Sequence, residues 1–350
     1  MKSWYRRATL ISAALIGVVA LAWFVLDRRS PAPAVPGTAT PGPTEHPLVE
    51  IPLSGPIAAA NAEVSGMAWY GDVLILLPQY PGRMADRDDG AVFALPRADI
   101  VAFLDGDVDG PLEPVAVPLL APGLAEGIQD FEGYEAIAFA GERAYLTIEA
   151  SPGASMQGYL VTGAITPDVS ALRLDPESLV EIDPQAGLSN MSDEALFTVG
   201  DVVVTIYEAN GANVNPEPVA HRFDAALGVL EAVAFPNVEY RITDATALDA
   251  DGTFWAINYF WPGDVKLDPA ADPLVAAFGV GATHAQSETV ERLVAFRYDT
   301  AGIALVDAPP IQLELAGEAR NWEGVVRLDE RGFLLVTDKF PQTILGFVGR

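Results

Sequence analysis

The sequence predicts an all-β chain folded as a single β-propeller, and three observations carry that expectation. The 350 residues include 28 Pro and 31 Gly, half are apolar, and no long stretch has helical periodicity. That composition favours many short strands joined by turns. A short unit recurs five times: an acidic or polar residue, a small residue, an apolar strand, a turn, and a second apolar strand ending in a polar residue. Finally, these hairpins have nearly one length, as the blades of a ring require.

The clearest copy is the last, Asn321-Trp-Glu-Gly-Val-Val-Arg-Leu-Asp-Glu-Arg-Gly-Phe-Leu-Leu-Val-Thr-Asp-Lys-Phe340. The others begin at Glu63-Val-Ser-Gly-Met-Ala-Trp69, Glu135-Ala-Ile-Ala-Phe139, Glu194-Ala-Leu-Phe197 and Asp244-Ala-Thr-Ala-Leu-Asp249. Aligned on the small residues Gly66, Ala136, Ala195, Ala247 and Gly324, they reach the polar end of the second strand after 13, 13, 13, 11 and 14 residues. Turn signals such as Tyr70-Gly-Asp and Val199-Gly-Asp sit between the strands. Further strand-like runs follow each hairpin, among them Ala91–Leu95, Gly158–Thr162, Pro218–Phe223, Arg292–Tyr298 and Pro310–Leu315. Five four-stranded blades are expected, with six as the alternative. The last blade lacks a fourth strand, and Leu48–Leu53 is expected to supply it and close the ring. Arg97–Leu104 reads as a helical insertion in the first blade and Leu274–Val280 as another in the fourth.

The N-terminus reads differently. Residues 1–7 are basic, and Ala8–Leu26 is an apolar run close to the roughly 20 residues that cross a bilayer. The flanking charges favour a cytoplasmic N-terminus. A cleavable signal peptide ending near Ala20-Leu21-Ala22 is the alternative, but Trp23–Leu26 continues the apolar run past it. Residues 27–47 are Pro-rich and read as an extended tether, and 48–350 as the propeller. The expectation is a single-pass protein of a bacterial cell membrane with its C-terminal domain periplasmic or extracellular.

A net charge of −28 with three Lys excludes a nucleic-acid partner and weakens attraction to anionic lipid. Cysteine is absent, which removes disulfides and thiolate chemistry. No Gly-x-Ser-x-Gly elbow and no phosphate-cradling loop is present, and His46, His221 and His284 cannot readily form a triad. A monomer acting on a small molecule is expected.

In a propeller, the start of the inner strand and the end of the next lie at one mouth. That mouth would gather Ser65, Glu135, Glu194, Thr246 and Glu323 from the inner position, and Glu63 and Asp244 from two residues earlier. It would also gather Gln79, Glu149, Glu208, Asn258 and Asp338 from the strand ends, with Arg241, Arg320 and Lys339 nearby. Carboxylates held together take up protons or bind a cation, and an all-oxygen set suits Ca²⁺, with Mg²⁺ as the alternative. Such acids can instead satisfy loop amides of the next blade. Tyr80, Tyr207, Tyr259, Phe260, Trp261, Trp322 and Phe340 could form a stacking rim.

Glu323-Gly-Val-Val with Leu-Leu-Val-Thr-Asp-Lys339, Glu135-Ala-Ile-Ala with Leu-Thr-Ile-Glu149, and Glu63-Val-Ser-Gly-Met-Ala resemble the inner hairpins of phytase-like and esterase-like propellers and of SdiA-regulated proteins. A looser likeness is to calcium-dependent gluconolactonase-type propellers. The resemblance implies a Ca²⁺ site of Glu63, Glu135, Glu194, Asp244 and Glu323, with Glu135 or Glu323 as catalytic base. Glu149, Glu208, Asn258, Asp338, Arg320 and Lys339 would then bind substrate. It implies hydrolysis of a phosphoester, ester or lactone. The alternative is a non-enzymatic ligand-binding or envelope-scaffold propeller. Phytases surround phosphate with several Lys and Arg, and this mouth has few.

Overall fold

The computed structural model describes residues 42–59, 61–85, 89–153 and 156–350. The apolar run Ala8–Leu26 and most of the 27–47 tether lie outside the described residues. Among the described residues no helix is long and apolar enough to cross a membrane.

All five expected hairpins form. Their strands are Val64–Tyr70 with Val73–Pro78, Phe131–Ala140 with Arg143–Ala150, Asp193–Val199 with Val202–Tyr207, Arg241–Ala245 with Thr253–Phe260, and Trp322–Leu328 with Gly332–Thr337. The first strands pack side by side in chain order, and the last packs against the first, so the ring is closed.

The core lies between the hairpin units rather than inside any one of them. Each of the five gaps holds a cluster of apolar side chains. Leu74 and Leu76 face the fifth unit's Leu334 and Val336, while Ile75 and Leu77 face the second unit's Ile137 and Leu146. Phe197 and Val204 meet Phe254 and Phe296 in the third gap. A strand buried on both faces must be apolar at successive positions, which is why Val73–Leu77 and Phe333–Val336 are unbroken apolar runs.

The small residues of the repeat answer a steric need. A Cβ placed on Gly66 would lie 2.8 Å from the Glu135 carbonyl oxygen and 3.2 Å from Ala136 Cα. At Gly324 a Cβ would meet Val336 Cγ1 at 2.7 Å and Met67 Cγ at 3.1 Å. Adjacent inner strands therefore approach most closely at this position. Ring closure is also polar: Trp69 Nε1 donates to the Arg327 carbonyl at 2.7 Å, and Arg97 pairs with Asp329.

Leu48–Ile51 pairs antiparallel with Leu345–Gly349, Leu48 opposite Val348 and Ile51 opposite Leu345, so the chain's start supplies the outer strand of the last unit. The helix Arg97–Leu104 forms as expected, and the second insertion is helical over Pro273–Phe278. Two expectations change. The structured unit reaches back to Gly42, because Glu45–His46 pairs in parallel with Gln312–Leu313. And the outer strands of the second and fourth units are divided. Gln157–Ile165 carries both Leu172–Leu174 and Val180–Ile182 on its outer edge. Val290–Asp299 likewise carries Gly302–Leu305 and Ile311–Leu313. A strand this long has room for two short partners, and this accounts for part of the excess repeat length.

Gly66→Val tests the close approach. The new side chain meets backbone that cannot turn away, so we expect a loss of about 1–3 kcal/mol in stability, read by chemical denaturation with an unchanged far-ultraviolet spectrum.

Candidate functional site

One structural device aims the site residues. Each inner hairpin has a register shift near its start, between Val64 and Gly66, Tyr134 and Ile137, Asp193 and Ala195, Ile242 and Ala245, and Trp322 and Gly324. A β-bulge leaves its extra residue out of the ladder and re-aims its side chain. Ser65, Glu135, Glu194, Asp244 and Glu323 occupy these bulges. The fourth repeat is therefore offset from the sequence alignment. Its small residue is Ala245, not Ala247, and it lies 13 residues before Asn258 (258 − 245), the spacing of the first three repeats. Thr246 belongs further along the chain, where its hydroxyl accepts from the Trp255 amide at 3.1 Å.

At the centre of the ring lies a cavity of about 780 Å³. Glu63, Glu135, Glu149, Glu194, Glu323, Asp338 and Lys339 all line it, as the sequence predicts. Arg241 lines it too and is the organising group. Its Nη2 lies 3.5 Å from Glu194 Oε2 and 3.6 Å from Glu323 Oε1, and its Nη1 lies 3.9 Å from Asp264 Oδ2. Its Nε pairs with Glu208. Burial opposes the guanidinium charge, but Glu323, Glu194 and Asp264 outweigh it and hold the group firmly protonated.

The carboxyls respond to burial in the opposite sense. Burial pushes Glu149 up to about 8, with Glu194 and Glu132 adding repulsion. Glu194 is pushed by burial to about 7, with Arg241 restraining the rise. Glu135 and Glu323 are driven well above the usual carboxylate range, first by burial and then by neighbouring carboxylates. Glu135 accepts from Gln79 Nε2 at 3.0 Å, and Glu323 from Asn321 Nδ2 at 2.5 Å. Glu63 is bonded by Arg83 and Lys339, each at 3.1 Å. Glu149 is 3 % exposed, and its Oε1 has no hydrogen-bond partner.

Four expected site residues stand elsewhere. Asp244 accepts from the Val325 amide at 2.7 Å, fastening the fourth unit to the fifth. Glu208 lies behind Arg241, fully buried. Asn258 is also internal. It donates to the Glu239 and Arg241 carbonyls and accepts from Arg292 Nε at 2.8 Å. Arg320 turns away to the buried Glu291, which also accepts from Trp322 Nε1. Of the aromatic candidates, Tyr259, Trp261 and Phe340 line the cavity, whereas Trp322 and Tyr207 are buried in packing. His284 is structural: its Nδ1 lies 2.8 Å from Glu45, and its Nε2 accepts from the Glu291 amide. His221 pairs with Asp193 at 3.2 Å. Asp264 and Glu318 line the cavity without having been expected. Both sit in irregular segments outside the repeat, where no periodic signal exists.

Among the described residues no three His, Asp or Glu side chains gather closely enough to hold a metal ion. Glu63, Glu135, Glu194, Asp244 and Glu323 thus do not fit the Ca²⁺ or Mg²⁺ that the resemblance implies. Glu63 and Asp244 are committed to other partners, and Arg241 stands between Glu194 and Glu323.

No family model matches the chain, and no curated protein matches it. Solved structures are similar only distantly. The endo-arabinase from Bacteroides thetaiotaomicron is 11% identical over 86% of this chain and 96% of that one, with a TM-score of 0.46. The α-L-arabinofuranosidase from Clostridium thermocellum is 10% identical over 79% of this chain and 81% of that one, with a TM-score of 0.42. A hypothetical protein from Leishmania major is 11% identical over 87% and 89%, with a TM-score of 0.43. Likenesses this distant say nothing of chemistry.

Two measurements check the electrostatics. Removing Arg241 as Arg241→Met strands buried carboxylates and is expected to cost about 3–5 kcal/mol in denaturant unfolding. Glu149 and Glu194 bind protons more tightly folded than unfolded. Their stabilisation is therefore complete below about 4.5 and is lost as pH rises through 7 and 8. Thermal melts from pH 5 to 8.5 should show a falling Tm, and Glu149→Gln should flatten the fall. A Tm that rises over this range would contradict the assignment.

Proposed function

We propose that the five hairpin units are the blades of one five-bladed β-propeller, and that its central cavity is the active site of a hydrolase using paired carboxyls. The observation that carries this reading is the group of buried carboxyls around Arg241, opening into a cavity large enough for a small molecule. Hydrolysis needs a group that protonates the leaving atom and another that activates water. Glu149, pushed up to about 8 by burial, is held protonated at neutral pH, which suits a general acid, and burial raises Glu135 in the same direction. Glu194, balanced near neutrality between burial and Arg241, suits a general base. Glu323 shares the Arg241 guanidinium and would orient it.

Lining acids outnumber lining bases, so an anionic phosphoester would be repelled. An ester, lactone or glycosidic bond in an uncharged or cationic substrate suits the field better, and for a glycosidic bond a pair of acid–base carboxyls suffices. The apolar run Ala8–Leu26 supports an anchored, extracytoplasmic setting for this domain.

The reading is tested with a panel of chromogenic p-nitrophenyl esters, lactones and glycosides. Glu149→Gln and Glu194→Gln should each lower kcat by about 10²–10⁴-fold, with melting temperature at pH 6 within a few degrees of the parent. Activity should survive chelation of divalent ions. Turnover that persists in both variants, or that vanishes with chelator, overturns the proposal.

A further inference from the structure

The cavity has an excess of acids over bases that its own ion pairs do not use. Glu194, Glu208, Asp264 and Glu323 share Arg241, and Glu63 takes both Arg83 and Lys339. Glu135 has only the neutral Gln79 amide, and Glu149 is left with an oxygen that nothing donates to. A buried acceptor without a donor is costly, and a ligand that brings one recovers that cost.

The spacing says what kind of donor. The carboxyls do not gather three together at the separation a bare metal ion needs, yet they line one chamber of about 780 Å³. A chamber of that size with dispersed acceptors suits a cation whose charge sits on a larger organic body. At the mouth stand the rings of Trp261 and Phe340, 53% and 57% exposed. Exposed aromatic rings beside carboxylates are what alkylammonium groups bind to, since the ring face carries negative electrostatic potential. Phe340 already has the Lys339 ammonium 5.6 Å from its ring centre.

We propose that the cavity recognises an amine-bearing organic cation. Its ammonium group donates to the Glu135 and Glu149 carboxyls, Glu149 giving up its proton to solvent as the cation binds, and its carbon skeleton lies against Trp261. This assignment rests on the central cavity being the working site, and it names the class of substrate or ligand that the site selects. The chain's net charge of −28 adds a long-range field that draws such a ligand in.

The experiment is titration calorimetry on the folded domain with spermidine, an uncharged octanediol of similar length, and CaCl₂. Spermidine should bind with a one-to-one stoichiometry, and the diol should not bind measurably. Glu149→Gln and Glu135→Gln should each weaken spermidine at least tenfold, and Trp261→Ala should weaken it several-fold. Trp261 stands at the rim, so its truncation leaves the fold intact and keeps the test valid if a buried carboxyl variant unfolds. Glu50→Gln, on the exposed outer strand, is the control and should change nothing.

Binding of the diol as tightly as spermidine overturns the amine assignment, as does spermidine binding that is indifferent to all three cavity variants. Calcium that competes with spermidine and is lost in the same variants overturns it in favour of a metal. Each of these leaves the chromogenic assay to decide hydrolysis separately. Loss of the Gln-variant effect on turnover, with amine binding retained, would remove the hydrolase reading and keep the ligand class.

Discussion

The guanidinium of Arg241 is the interaction on which the central cavity depends. A ring of hairpins in which Glu135, Glu194 and Glu323 are bulged acids facing the cavity brings carboxyls together at the axis, away from water. Desolvating several such charges costs far more than a domain's net stability unless the charge is offset. Arg241 offsets part of it by pairing with Glu194, Glu208, Asp264 and Glu323. The rest is relieved by protonation, and the acids of Glu135 and Glu149 are shifted upward accordingly. One interaction thus joins the stability of the ring axis to acid–base chemistry. A carboxyl kept protonated at neutral pH, as burial keeps Glu149, is a by-product of packing that a catalyst can use.

The ring is held by other means. Apolar side chains fill each gap between units, and Gly or Ala at the closest approach lets neighbouring backbones meet. The outer strand Leu48–Ile51 completes the last unit, so the ring has no open edge there. The short segment ahead of it is fastened through Glu45. Its carboxylate accepts from the Thr283 and His284 amides, the Thr283 hydroxyl and the His284 ring. Burial works against that charge, yet these four donors hold the group down to about 2. The point at which the tether enters the domain is therefore fixed against the fourth unit's insertion.

Much of this was legible in the residues. The hairpins follow from apolar runs of set length between turn residues, and a strand buried on both faces leaves no other pattern. The helix Arg97–Leu104 and the closing strand were legible for the same local reasons. The fourth repeat shows the limit. Asp244-Ala-Thr-Ala offers small residues at both 245 and 247, and only the bulge between Ile242 and Ala245 decides which one meets the neighbouring strand. The divided outer strands were missed because two short partners on one long edge have no periodic signature.

The sequence by itself determined that five alike hairpins with acidic starts must share an axis, since strand periodicity and turn spacing are local properties. It could not determine which acids reach that axis. Asp244 and Glu323 occupy equivalent bulges, but one is captured by the Val325 amide and the other faces the cavity. Arg320 and Arg241 are both arginines near an inner strand, but Glu291 draws one into packing while four carboxylates hold the other at the centre. Which partner a long charged side chain takes depends on desolvation and on distances across units far apart in the chain, and these exist only once the ring has closed.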